Sequence, residues 1–134
     1  MPLVASAFLF GCGSSEHHAS LRIAGEGGIG PVLSRADLRS ARADVDQNTS
    51  QPVVLLELTR EGQRKFLVLT RRVVRAGRRR HRPAHVVIFV NGRVISRPYI
   101  DYRVFPNGLP ADSGVQIDVR SVRTARDLVN RLNR

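Results

Sequence analysis

The sequence predicts an α+β fold, an antiparallel or mixed β-sheet with two amphipathic helices packed on one face. Three observations carry this. Gly62, Phe66, Leu69, Val73 and Ala76 recur at helical spacing, as do Val122, Ala125, Leu128, Val129 and Leu132. Runs rich in Val, Ile and Leu, too short for helices, separate and flank these stripes. Between two such runs stands Asn91-Gly92, the strongest short hairpin signal, because both residues tolerate the positive φ of a type I′ turn. A chain of 134 residues suits one domain that buries its core without crosslinks. With no Trp and few other aromatics, that core is aliphatic.

Taken in order, residues 1–12 read as a signal peptide. Residues 1–11 carry no charge and are too few to span a bilayer, which needs ~20. Their length suits the apolar region of an export signal. Leu9-Phe10-Gly11-Cys12 resembles the bacterial lipobox. The resemblance implies that Cys12, the sole cysteine, becomes a diacylglyceryl-modified mature N-terminus. Two acyl chains anchor a protein stably, which implies the outer face of the bacterial cytoplasmic membrane. Residues 13–30 form a Gly- and Ser-rich linker, interrupted by a short strand at 21–24. "GEGGIG" at 25–30 matches the dinucleotide fingerprint in form, but Pro31 follows at once where a helix would have to open. It is a loop. Residues 31–134 are the α+β domain.

Ser34-x-x-Asp37 has the form of a capping box and predicts a short helix. "ARADVDQNTSQPVVLLELT" then alternates, breaks at Asn48-Thr49-Ser50 and resumes, which predicts a hairpin. Thr59 caps the next helix, whose other faces carry Arg64, Lys65, Arg71, Arg72 and Arg75. Gly77 suits its C-cap, and Pro83 bars continuation. "HVVIFVNGRVIS" is a second hairpin, and Pro98 limits its second strand to an edge or a bend. "YIDYRVF" suggests a further short strand, residues 106–114 a loop and "GVQIDV" another strand. Ser121 caps the last helix.

No catalytic constellation emerges, and an enzyme is not expected. His81 and His85 are four apart but flank Pro83 and lack the glutamate of H-E-x-x-H. His17 and His18 lie in the linker. Asp44 and Asp46 share a strand face without acid–base company, and Ser113-Gly114 lacks the nucleophile elbow. No metal, cofactor or small-molecule substrate is implied. The net charge of +11 favours acidic partners, and all but Lys65 of the 22 basic residues are arginine. Arg78, Arg79, Arg80 and Arg82 are candidate contacts to an anionic surface, such as lipid head groups beside the anchor. The arginine-rich segment 75–82 also supports an alternative, a nucleic-acid-binding domain. Stacking aromatics and base-reading motifs are missing from that segment.

The order of elements and several phrases resemble the head part of the first extracytoplasmic domain of SecD, an accessory subunit of bacterial protein translocation. "PVLSRADLRSA" and "VDQNTSQPVVLLELTREGQRKFLVLT" place Leu33, Asp37, Leu38, Ala41, Asp46, Pro52, Val54, Thr59, Gly62, Phe66 and Thr70 at that family's positions. "VVIFVNGRVISRPYI" is similar to its hairpin, with Asn91, Gly92, Val94, Ile95, Ser96, Pro98 and Ile100 in register. "VQIDVRSVRTARDLVNRL" resembles the segment that follows, although Ile117-Asp118-Val119-Arg120 lacks the family's glycine and aromatic. The resemblance implies a head fold and a polypeptide-binding surface, not the membrane-embedded motor. Gly62, Phe66, Asn91, Gly92, Ser96 and Pro98 are fold-making residues. The implied partner is an unfolded polypeptide or an envelope or translocase protein. Strand addition near Pro98, Ile100 and Tyr102 is the candidate mode.

Overall fold

The computed structural model describes residues 20–112 and 114–133. Cys12 with the rest of the expected signal peptide, His17, His18 and Ser113 lie outside the described residues. The elements are β1 Leu21–Gly25, β2 Leu33–Ser34, β3 Leu38–Val45, β4 Pro52–Leu58, α1 Arg60–Arg80, β5 Ala84–Val90, β6 Arg93–Ser96, β7 Tyr99–Ile100, β8 Val115–Asp118 and α2 Val122–Asn133. The fold is α+β, as the sequence predicts, with every pairing antiparallel.

The strands divide between two sheets. In the larger, β2 pairs β1 and β1 pairs β5, with Ile23 opposite Ile88. Along the far side of β5 run first β7 and then β6, separated by Arg97 and Pro98. Pro98 thus breaks an edge, as its missing N–H requires, while its carbonyl accepts from the Val86 amide at 2.8 Å. In the smaller sheet β4 lies between β3 and β8, with Ala41 opposite Leu56 and Val54 opposite Ile117. Helix α1 packs on β5 of the larger sheet and α2 on β3 and β4 of the smaller.

One apolar cluster joins both sheets and both helices. Ile23, Leu33, Leu56, Leu58, Leu69, Ile88, Ile117 and Leu132 are fully buried in it. Burial of each such side chain is worth ~1.5–3 kcal/mol. The Gly62–Phe66–Leu69–Val73–Ala76 stripe is buried along its length, and Ala125, Leu128 and Leu132 supply the α2 side of the core.

Three expectations change. The short helix expected from Ser34 stops after a single 3₁₀ turn, Arg35–Asp37. Its capping box forms, with Ser34 Oγ accepting from the Ala36 amide and Asp37 Oδ2 from the Ser34 amide. The chain then enters β3, because pairing seven of its residues with β4 satisfies the backbone more widely than a lone turn can. Helix α1 runs past Gly77 to Arg80, and His81 takes the left-handed cap with φ 59°. Gly77 serves close packing instead, since a Cβ there would meet the Arg82 carbonyl at 3.0 Å and the Tyr102 ring at 3.3 Å. Finally, the strand expected inside the linker is β1, bonded on both sides, with Leu21 and Ile23 buried. That part of the segment belongs to the core.

Edge strand β3 is closed by a side chain. Asn133, at the end of α2, accepts from the Ala41 amide at 2.9 Å and donates to the Ala41 carbonyl at 2.7 Å. The amide side chain thereby supplies the bonds a neighbouring strand would make.

Candidate polypeptide-binding site

A groove of about 800 Å³ opens where the β5–β6 hairpin faces the end of β8 and the flank of α2. Val90, Ile95, Val119 and Leu128 supply its apolar lining. Arg93, Arg120 and Arg131 bring positive charge, Asp118 and Asp127 negative charge. Local chemistry sets each wall. Asn91 and Gly92 take φ 53° and 78°, the positive values of the expected turn. Asn91 Oδ1 also accepts from the Ser20 amide at 3.0 Å, tying the turn to the start of β1. On the other wall Ser121 Oγ accepts from the Thr124 amide at 3.1 Å and opens α2. Thr124, Leu128 and Arg131 then follow at helical spacing along the groove.

The same hairpin carries the open edge of the larger sheet. Among the described strands β6 has only β5 as a neighbour. Its Val94 is 50% exposed, Ile95 36% and the adjoining Tyr99 62%. Of the candidate edge residues, Pro98 is exposed at the break. Ile100 is buried opposite Ala84, and Tyr102 is half-buried against the core. The apolar side chains offered to a partner are therefore Val94, Ile95 and Tyr99. Their strand was legible, but which face of a short edge strand meets the core is decided by its neighbour.

The arginine run divides. Arg78, Arg79 and Arg82 are exposed. Arg80 pairs with Glu26, whose Oε1 also accepts from the His85 amide at 2.8 Å and lies 2.9 Å from His85 Nδ1. The Arg80 guanidinium, with the His85 ring and amide, lowers the Glu26 carboxyl from the ordinary 4.5 to about 2. The glycine-rich segment thus contributes its glutamate, which staples the loop to the end of α1. His81 and His85 do not converge: one caps the helix and the other meets Glu26. Among the described residues no group of three or more His, Cys, Asp or Glu is placed to hold a metal.

Nor do Asp44 and Asp46 form a pair. Asp46 lies past β3, where Oδ1 accepts from the Asn48 and Thr49 amides and Oδ2 from Gln116. These bonds, led by Gln116, hold its carboxyl below the usual range.

Three of the residues singled out by the SecD resemblance, Asp37, Thr59 and Gly62, meet at one junction. The Thr59 amide donates to the Asp37 carbonyl at 2.9 Å, and Thr59 Oγ1 accepts from the Gly62 amide at 3.0 Å. Buried Asp37 also pairs with Lys65 Nζ at 3.2 Å. Fully buried Thr70 accepts from the Leu109 amide at 2.9 Å, fixing the loop that follows β7. Residues 26–134 match the SecDF P1 head subdomain. The chain belongs to that family.

Two solved structures share the head-subdomain fold. One is SecDF described as a membrane component that enhances protein export, with TM-score 0.60 and 26% identity over 88% of this chain and 64% of that one. The other is SecDF in a super-membrane-facing form, with TM-score 0.61 and 25% identity over 86% of this chain and 18% of that one. This head subdomain therefore spans less than two thirds of either solved chain. No curated protein matches it.

Proposed function

We propose that this head subdomain is a non-enzymatic binder of unfolded polypeptide, acting in protein export outside the cytoplasmic membrane and anchored there through lipid on Cys12. The observation that carries the binding function is the continuity of the β6 edge with the apolar groove, through Arg93 and Ile95. An extended peptide added to β6 draws its affinity from main-chain hydrogen bonds, which any sequence supplies. Alternate side chains of such a peptide point the same way. One set enters the groove over Val90, Ile95, Val119 and Leu128, while the mixed charges around them tolerate polar residues. Weak sequence preference is what an export substrate requires, and the SecDF relation supports the same reading.

The test is binding of a reduced, carboxymethylated protein to the head subdomain, followed by fluorescence anisotropy. Ile95→Asp puts a charge on the half-exposed strand without emptying a core site. It should weaken binding by about tenfold, or ~1.4 kcal/mol. Unchanged affinity would sink the groove as the binding site. Anchoring is tested separately by the mass of the mature N-terminal peptide from the native host. A peptide starting at diacylglyceryl-modified Cys12 is expected, and an unmodified chain from Met1 would refute it.

A further inference from the structure

We propose that the outer face of α1, together with the loop tip at Val104 and Phe105, docks the head subdomain flat onto a bilayer rich in anionic phospholipid. This inference stands on observations separate from the polypeptide groove. Arg60, Arg64, Arg71, Arg75, Arg78 and Arg79 are all exposed and recur at helical spacing. They form one basic stripe opposite the buried face of Phe66, Leu69 and Val73. At 1.5 Å per residue the stripe is ~28 Å long, enough to engage several head groups at once.

Counter-charge is sparse along this face. Residues 62–100 contain no Asp or Glu. Glu61 pairs with Arg64 at 2.7 Å, and Glu26 is taken up by Arg80. Among the described residues Arg75, Arg78 and Arg79 pair with no carboxylate. Guanidinium groups match phosphate oxygens by paired hydrogen bonds.

The second observation is apolar. Arg71 Nε donates to the Asn107 carbonyl at 3.1 Å, and Pro106 and Asn107 share a cleft with Arg71, Arg75 and Arg78. The loop so fastened to the stripe presents Val104 at 62% and Phe105 at 42% exposure. Val68 is exposed at 38% among the arginines themselves. Cations beside exposed apolar side chains suit a membrane interface, where head groups meet acyl chains. A single-stranded nucleic acid would call for aromatics to stack its bases, and the outer face of α1 has none. Topology leaves the groove free, because α1 joins the end of β4 to the start of β5. Gln51 and Val90, in the groove, stand at the opposite ends of those strands.

The test uses the full chain carrying Cys12→Ala, so that no acyl anchor contributes. Co-sedimentation is measured with phosphatidylcholine vesicles with and without phosphatidylglycerol, and with inorganic phosphate and single-stranded DNA as competitors. Binding should require phosphatidylglycerol, fall with salt and survive inorganic phosphate. Replacing Arg75, Arg78 and Arg79 by Gln should weaken it on the order of 100-fold, at ~1 kcal/mol per basic residue. The matching Lys variant should still bind, showing that charge rather than folding was lost. Phe105→Ser should cost about fivefold on vesicles. The groove variant Ile95→Asp should bind vesicles normally, so the two proposals fail independently. Equal binding to pure phosphatidylcholine, an unaffected Gln variant, or preference for DNA over anionic vesicles would each overturn the proposal.

Discussion

At the scale of single residues, Glu26 shows how a loop is held without a strand. Its carboxylate takes a guanidinium, an imidazole and a backbone amide, and is held at about 2 instead of 4.5. A carboxyl acidified by folding stabilises the native state above its unfolded value and stops doing so as pH falls through its folded value. The contribution is thus whole above about pH 4.5 and is lost between there and about pH 2. Glu26→Gln should cost ~1–2 kcal/mol near neutrality, for a charged bond set only partly shielded from water. Urea denaturation of both proteins at about pH 7 and about pH 3 checks this, since the gap must narrow in acid. A constant gap would show that the glutamate acts by shape alone. Nothing in "GEGGIG" announced this role, because Arg80 and His85 lie over fifty residues away along the chain.

At the scale of elements, the start of α1 is a junction of helix, turn and strand. Gly62 is buried, and a Cβ there would come within 2.5 Å of the Asp37 carbonyl and 3.0 Å of its Cβ. Alanine is ordinarily the better helix former by ~1 kcal/mol. Here Gly62→Ala should instead destabilise by about 2 kcal/mol, because rigid backbone must move to admit it. Thermal melting of the variant decides the sign, and a raised midpoint would show that the turn yields freely. Helix α1 itself was legible: its apolar period, Thr59 cap and buried stripe all agree. Its end was not, since the left-handed His81 outperforms the glycine that composition favours. The packing of β5 and Tyr102 against Gly77 reserves that glycine for close approach. The segment directly after Ser34 misled for a related reason. A good capping box promises a helix, but it cannot outweigh a full ladder with β4.

At the scale of the molecule, the two proposed surfaces lie apart. The groove and open β6 edge lie at one end of β4 and β5, and the arginine stripe spans the link between their other ends. Peptide binding and membrane docking can then occur together. The variants Ile95→Asp and the triple arginine replacement should be separable, each abolishing one property. The α+β class, both amphipathic helices, the Asn91-Gly92 hairpin and the family were all legible before folding. Each of these follows from local periodicity, turn chemistry or short spaced motifs. Long-range contacts alone set the division into two sheets, the burial of Ile100 against the exposure of Ile95, and the pairing of Arg80. Those outcomes depend on which distant segment supplies a neighbour, and a short strand or a charged side chain carries no record of its partner until the chain has folded.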